Sequence, residues 1–301
     1  MDGPVVDATW LMAHADEVRI VDVRWYLDGR SGRAAYLAGH IPGAVWLDVD
    51  ADLADPPGAG RHPLPSPQRF AAAMTRAGIG DDTPVVAYDD AGGSIAARLW
   101  WLLHIVGQPV AVLDGGLAAW SGPLEIGEPE PVEPAAAPFT PRPFPAERLA
   151  SAERLAEVAG VVDAAKEAEV AGETGADRLA DAAGVVVVVD ARTAGRYAQG
   201  DPAIDPRPGH IPGAVSAPWA GNLDATGRFL PPDELRSRYA KLGVEPGRAV
   251  VAYCGSGVTA CHDLLALTRA GIRDVRLYPG SWSEWGADHD RPSAVGPNPA
   301  G

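Results

Sequence analysis

Residues 249–265 read AVVAYCGSGVTACHDLL, and this stretch passes from a valine-rich apolar run through a cysteine and two glycines into a helical pattern. An apolar run without alternation predicts a strand that is covered on both faces of its sheet. Similar runs stand at 185–190 and 274–278, and the segments between them carry helical spacing and end in glycine. Strands that alternate with helices predict an α/β fold in which a mainly parallel sheet is flanked by helices.

The pattern around the cysteine occurs twice in the chain. AVVAYCGSGVT at 249–259 matches PVVAYDDAGGS at 84–94, and RPGHIPGAVSA at 207–217 matches LAGHIPGAVWL at 37–47. Two further pairs extend the match, namely VVVDART at 187–193 with RIVDVRW at 19–25, and LYPGSWSEW at 277–285 with VLDGGLAAW at 112–120. A self-similarity of this length predicts two tandem copies of one domain.

The amino-acid composition of the segment between the two copies indicates the domain boundaries. Residues 122–149 are rich in proline and have no period, which is typical of an extended linker. We therefore place an N-terminal domain at 1–121 and a C-terminal domain at 150–301. Residues 169–184 form a second aperiodic patch, which is read either as a helix with a loop or as an insertion.

Charge and composition exclude several classes of partner. The chain of 301 residues has a formal net charge of −15, so a nucleic-acid ligand is not expected, because phosphate contacts need clustered Lys and Arg. No apolar run of 18 residues and no basic region before an apolar segment occur, which predicts a soluble cytoplasmic protein without a membrane partner. The two cysteines are too few for a disulfide framework or a metal site.

Cys254 directly follows a predicted strand, where ligands of parallel sheets bind. The glycines after it permit a tight turn, and the backbone N–H groups of that turn together with the helix dipole stabilise an anion. The thiolate form is therefore expected, and it suits a nucleophile or a carried anionic sulfur; the alternative is a buried structural cysteine. A cysteine phosphatase would need an arginine at the sixth position after the cysteine, where this chain has Ala260.

Taken together, IVDVR and VVDAR, the two GHIPGAV segments, CGSGVTA, and DGGLAAW with GSWSEW resemble the tandem-domain rhodanese-like sulfurtransferases. The resemblance implies two α/β domains, of which only the second is catalytic, and a persulfide on Cys254. Asp89 stands at the position of Cys254 in the first copy, as expected of an inactive domain. Neither a metal nor an organic cofactor is implied.

The loop CGSGVTA is similar to that of 3-mercaptopyruvate sulfurtransferases, and its lack of Lys and Arg favours a monoanionic donor. The resemblance implies that Arg192 and Arg196 bind the donor's carboxylate. It also implies a relay of Ser256, His62 and Asp50, and it assigns the lining of the donor site to Gly255, Gly257, Val258 and Thr259.

The partners that follow are a small-molecule sulfur donor and an acceptor, which is cyanide in a test tube and a thiol or reduced thioredoxin in a cell. Two alternatives stay open, namely thiosulfate as the donor and a non-catalytic rhodanese-like binding module. His40 and His210 occur in both GHIPGA segments, with and without the cysteine, which favours a structural role for both rings.

Overall fold

The computed structural model describes residues 3–129, 137–157, 186–245 and 247–299. The chain divides into two compact units. The first comprises Met1–Pro56, Leu64–Pro145 and Leu223–Leu230, and the second comprises Pro57–Pro63, Ala146–Asn222 and Pro231–Gly301. Each unit thus includes a short segment from the other half of the sequence.

The first unit is built on a five-stranded sheet with strand order β1-β5-β4-β2-β3, and every pair of neighbours is parallel. Its strands are β1 (Val5–Val6), β2 (Arg19–Asp22), β3 (Val45–Trp46), β4 (Val85–Tyr88) and β5 (Val110–Leu113). Its helices are α1 (Ala8–Ala13), α2 (Gly32–Ala38), α3 (Val49–Asp52), α4 (Pro67–Arg76) and α5 (Ala96–Ile105), with 3₁₀ turns at Ala15–Glu17 and Gly116–Ala119. All four residues of β4 are buried, as a strand covered on both faces requires.

The second unit has a four-stranded parallel sheet with strand order β7-β6-β8-β9. Its strands are β6 (Val186–Asp190), β7 (Val215–Ser216), β8 (Ala249–Tyr253) and β9 (Val275–Leu277). Among its described residues, 152–157 are helical, and further helices are α6 (Ala194–Gln199), α7 (Pro232–Ala240), α8 (Ala260–Arg269) and α9 (Ser281–Trp285). Short 3₁₀ turns lie at Ala146–Arg148 and Trp219–Asn222. The prediction of two parallel-sheet domains flanked by helices is confirmed.

The helix after the cysteine lies inside the second unit. Residues 260–267 of α8 are all buried, because this helix packs against β8 and β9 on one side and against α7 on another. Each fully buried leucine contributes about 1.5–3 kcal/mol relative to an exposed one. The start of α8, and with it the loop that carries Cys254, is therefore fixed by packing.

Corresponding residues of the two copies make the same contacts. The backbone N–H of Ile41 donates to the Tyr88 hydroxyl at 3.1 Å, and that of Ile211 donates to the Tyr253 hydroxyl at the same distance. Both predicted structural histidines are buried, and each ring stacks on a tyrosine of the preceding helix, Tyr36 for His40 and Tyr197 for His210. The Nδ1 atoms lie 3.0 and 3.1 Å from the carbonyl oxygens of those tyrosines. The same contacts in both copies agree with the predicted structural role of the two histidines.

The predicted linker and the aperiodic patch are described only in part. The described residues 137–145 of the linker form no helix or strand, and Phe139 packs edge-on against Phe70 with the ring centroids 5.7 Å apart. The patch at 169–184 lies outside the described residues. The domain limits at 121 and 150 stay predictions. Within the part of the chain described here, no helix is both long enough and apolar enough to cross a membrane.

Candidate active site

Cys254 lies in a short loop between β8 and α8, as the sequence predicts. Its side chain is buried, and the backbone N–H of Gly257 donates to its Sγ at 3.1 Å. Gly257 has a φ of +78°, and a β-carbon on it would stand 2.6 Å from the carbonyl oxygen of Pro279. Glycine is therefore required at this position, because the turn that brings its N–H to the sulfur leaves no room for a side chain.

The turn at 281–283 holds the backbone of the cysteine. The N–H of Cys254 donates to the Ser281 hydroxyl at 3.1 Å, and the N–H of Trp282 donates to the Cys254 carbonyl at 2.9 Å. The N–H of Ser283 donates in turn to the carbonyl of Gly255 at 2.9 Å. These bonds fix the direction in which the loop leaves β8, so Ser281 positions the cysteine.

Ser281 has a left-handed backbone, with a φ of +52° that is uncommon outside glycine. The first copy has Gly116 at the matching position with a φ of +59°, and there the N–H of Leu117 donates to the carbonyl of Asp89 at 2.7 Å. This positioning of the cysteine backbone by Ser281 was not among the predictions from the sequence. The glycine in the matching DGGLAAW segment was the available signal, because it marks a position that needs this conformation.

The structure brings His62 and Ser256 together. The His62 Nδ1 and the Ser256 Oγ lie 2.7 Å apart, and both side chains are buried. His62 reaches this place because the segment Pro57–Pro63 belongs to the second unit. The segment lies against the turn at 281–283, since a β-carbon on Gly60 would stand 3.0 Å from the Cα of Gly280, and the N–H of Arg61 donates to the Ser283 hydroxyl at 3.0 Å.

Asp50, the third member of the predicted relay, lies on α3 in the first unit. Its Oδ2 accepts a hydrogen bond from the Trp25 Nε1 at 2.8 Å. This contact orients the carboxylate within its own unit, and its role in a relay stays a prediction.

Arg192 is fully buried in an ion pair with Asp190, at 2.7 Å between Nη2 and Oδ2, and it also donates to the carbonyl of Gly209 at 2.8 Å. Arg24 makes the corresponding contacts in the first copy, with Asp22 at 2.6 Å and with the carbonyl of Gly39 at 2.7 Å. Because the copy without a cysteine keeps this arrangement, the ion pair belongs to the domain's structure. The role of Arg192 in binding a donor stays a prediction.

Two guanidinium groups lie beside the residue that follows the cysteine. A β-carbon on Gly255 would stand 2.9 Å from the Arg196 Nη2 and 3.3 Å from the Arg61 Nη2. Arg196, on α6, is held by both oxygens of Asp205, and Arg61 donates from Nη1 to the carbonyl of Ile204 at 3.3 Å. The sequence analysis missed Arg61, because no pattern in the sequence signals that residues 57–63 join the second unit.

Val258 and Thr259 lead into α8. The Val258 carbonyl accepts from the N–H of Cys261, and the Thr259 carbonyl accepts from that of His262, each at 3.1 Å. Val258 and Thr259 therefore lie directly before the helix, and their predicted contact with the sulfur donor stays a prediction.

In the first copy, the corresponding loop donates several backbone N–H hydrogen bonds to the side chain of Asp89. Asp89, at the position of Cys254, is fully buried, and its Oδ1 accepts from the N–H groups of Ala91 and Gly93 at 2.8 Å each. Its Oδ2 accepts from those of Ile95 at 2.8 Å and Ala96 at 2.9 Å. Burial raises the pKa of Asp89, and the four N–H donors act in the opposite direction. The loop thus surrounds both oxygens of the Asp89 carboxyl group with backbone donors.

Comparisons with known proteins agree with this geometry. The family model described as "Rhodanese-like domain" matches residues 7–123 and 174–288. The chain is 41% identical over 290 residues to a probable 3-mercaptopyruvate sulfurtransferase of Pseudomonas aeruginosa, covering 93% of each chain. It is 38% identical over 287 residues to a putative thiosulfate sulfurtransferase of Mycobacterium tuberculosis, covering 93% of this chain and 92% of the relative.

The solved structures give the same result. The crystal structure of SseA, a 3-mercaptopyruvate sulfurtransferase from Escherichia coli, aligns with a TM-score of 0.74 at 34% identity and covers 94% of this chain and 100% of that one. Since the family model matches both copies and the relatives match along nearly the whole length, the chain belongs to the tandem rhodanese-like sulfurtransferases.

Proposed function

We propose that this sulfurtransferase takes sulfur from 3-mercaptopyruvate and carries it as a persulfide on Cys254. The observation that carries the proposal is the loop itself. In the first copy four N–H groups hold the Asp89 carboxyl group. In the second copy the N–H of Gly257 donates to the Cys254 Sγ, and Ser256, Val258 and Ala260 stand at three of the four donor positions of the first copy. A persulfide adds one anionic sulfur beyond Sγ, and such donors stabilise it there.

In the first half-reaction the Cys254 thiolate attacks the sulfur of the donor. A sulfur–sulfur bond forms, the donor's carbon–sulfur bond breaks, and its electron pair stays on the carbon as the enolate of pyruvate. That enolate takes up a proton and leaves as pyruvate. Ser256 and His62, 2.7 Å apart, can pass the donor's thiol proton to this carbon, and Asp50 is the proposed third member of this relay.

The donor's carboxylate needs a cationic partner near the loop. Arg196 meets this need, because its guanidinium group lies beside Gly255 and keeps about a fifth of its side chain exposed. Arg192 is buried behind it, and its Nη1 lies 3.7 Å from the Asp205 Oδ1 that Arg196 also contacts. We therefore place the carboxylate on Arg196 and assign Arg192 to holding Asp205.

In the second half-reaction a thiolate attacks the outer sulfur of the persulfide. The bond between the two sulfurs breaks, the Cys254 thiolate is restored, and the acceptor leaves as a persulfide. Sulfurtransferases of this family use small sulfur donors and thiol acceptors. For this chain we propose a cytoplasmic thiol, with reduced thioredoxin as the protein acceptor.

The direct test is mass spectrometry of the intact protein after exposure to 3-mercaptopyruvate without an acceptor. We expect one added sulfur atom in the wild type, none in Cys254→Ser, and one in Cys261→Ser. Cys261 is a matched control, because it is buried on α8 and its Sγ lies 3.4 Å from the carbonyl of Gly257. A folded wild-type protein that gains no sulfur would contradict the proposed function.

A further inference from the structure

We propose that Arg61 determines the range of sulfur donors by adding a second guanidinium group to the donor site. With Arg196 it forms a two-arginine site beside Gly255, and this site accepts a dianionic donor such as thiosulfate as well as a monocarboxylate. The inference rests on the proposed function, since it concerns the same cysteine and the same persulfide.

The position of Arg61 is built into the second unit. Its N–H donates to the Ser283 hydroxyl at 3.0 Å, and its Nη1 donates to the Ile204 carbonyl at 3.3 Å. Ser283 in turn donates its own N–H to the carbonyl of Gly255. The backbone that carries Arg61 is thus tied to the backbone that carries Cys254.

The charges near the loop explain what Arg61 adds. Asp205 binds Arg196 through both oxygens, so part of the positive charge of Arg196 is already balanced. The Nη2 atoms of Arg61 and Arg196 both stand within 3.3 Å of the point where a β-carbon on Gly255 would be. An anion that lies near this point is attracted by both groups, and a second negative charge doubles the Coulomb attraction.

The two sulfur donors differ in how far their anionic group lies from the sulfur that is transferred. In thiosulfate the sulfonate group is bonded directly to the sulfur that is transferred, whereas two carbons separate the carboxylate of 3-mercaptopyruvate from its sulfur. The Cys254 thiolate would attack the outer sulfur of thiosulfate, the sulfur–sulfur bond would break, and the electron pair would leave on sulfite. Both charges of this leaving group develop close to the loop, where a second guanidinium stabilises them.

The charge of the loop residues alone therefore understates the positive charge of the site. The prediction of a monoanionic donor relied on the charges of the residues next to Cys254 in the sequence, which include no Lys or Arg. Arg61 and Arg196 come from the segment Pro57–Pro63 and from α6, and both reach the residue after the cysteine.

The test compares kcat/KM for thiosulfate and for 3-mercaptopyruvate, with cyanide as the acceptor, in the wild type, Arg61→Gln and Arg61→Lys. We expect Arg61→Gln to lower the value for thiosulfate about tenfold or more and that for 3-mercaptopyruvate less than about threefold. Arg61→Lys should restore most of the loss, because it keeps the charge. Arg236→Gln is the matched control, since it removes an exposed arginine of α7 and should change neither value.

Three outcomes would overturn the inference: a wild type that does not use thiosulfate, unchanged kcat/KM values for both donors in Arg61→Gln, or an equal loss with both donors. Equal loss would show that Arg61 only supports the structure of the site through its contact with the Ile204 carbonyl. The proposed function fails separately, if the wild type transfers sulfur from thiosulfate and not from 3-mercaptopyruvate. Thermal unfolding of each variant checks that it is folded.

Discussion

At the scale of single residues, the proposed relay through Ser256 and His62 would serve proton transfer and not the transfer of sulfur itself. The two side chains lie 2.7 Å apart in a buried site. Pyruvate leaves as an enolate that needs a proton, whereas sulfite leaves with its electron pair and needs none. A relay through Ser256 therefore matters for one donor and not for the other.

We expect Ser256→Ala to lower kcat with 3-mercaptopyruvate about tenfold to a hundredfold, because general acid–base catalysis contributes on this order. With thiosulfate the same variant should keep most of its kcat. Steady-state rates with both donors measure the difference, and Ser237→Ala on α7, whose hydroxyl donates to the carbonyl of Asp233, is the control. An equal loss with both donors would show that the hydroxyl shapes the loop and carries no proton.

Asp89 allows the anion-binding loop to be tested without catalysis. All four N–H groups around its carboxylate are donors, so an amide nitrogen in place of one oxygen would leave buried donors facing each other. We expect Asp89→Asn to lower the free energy of unfolding of the first unit by about 1–3 kcal/mol. Urea unfolding measures this, with the exposed Asp90→Asn as the control. If both variants unfold alike, the four hydrogen bonds do not stabilise the domain.

At the scale of elements, the first residue of α9 has a strained backbone conformation and positions the backbone of the cysteine. Ser281 has a positive φ, its hydroxyl accepts from the N–H of Cys254, and it donates to the carbonyl of Tyr278 at 2.9 Å. The first copy, which has no thiol to position, uses Gly116 at this place. A serine in this left-handed conformation is less stable than a glycine would be. In return, its hydroxyl makes the hydrogen bond to the backbone N–H of Cys254.

Two substitutions at Ser281 separate these effects. Ser281→Ala loses the hydrogen bonds and keeps the strain, whereas Ser281→Gly loses the bonds and relieves the strain. We expect the glycine variant to be more stable than the alanine variant by about 1 kcal/mol, and both to have a lower kcat than the wild type. Denaturant unfolding and donor kinetics provide the two measurements. If alanine and glycine are equally stable, the turn is not strained.

Elements that follow one another in the chain could be predicted, and contacts between distant segments could not. The path from β8 through Cys254 to α8 follows from the apolar run and the glycines. Arg24 and Arg192 are both buried, and each stands two positions after the aspartate that ends a strand, so the match between the copies could have indicated a shared structural role. The place of Arg61 follows only from the folded chain, since no local pattern places residues 57–63 in the second unit.

At the scale of the whole molecule, the two copies differ in the helix that follows the loop. Nine positions after Asp89 the first copy buries Arg98, which donates to the carbonyl of Leu53 at 3.2 Å. Nine positions after Cys254 the second copy buries Asp263 instead. The helix after the loop thus contains a buried basic residue in the first copy and a buried acidic residue in the second.

Asp263 should make the stability of the second unit depend on pH. Asn222 donates to its Oδ1 at 2.7 Å, while its Oδ2 has no hydrogen-bond partner among the described residues. Burial raises the pKa of Asp263 to about 7, although Asn222, Arg238 and Tyr239 act to lower it. The unfolded chain has the ordinary value of 3.8. Between these two values the folded state binds more protons than the unfolded state, so stability falls as pH rises.

We therefore expect the free energy of unfolding of the second unit to decrease by a few kcal/mol, in order of magnitude, as pH rises from about 4 to 7. Asp263→Asn cannot ionise, so most of this slope should disappear, and the variant should exceed the wild type in stability at pH 8 but not at pH 4. Urea unfolding across this pH range measures both slopes. Equal slopes in the two proteins would show that Asp263 is ionised in the folded state, which would require Arg238 to neutralise it through the network around Asn222.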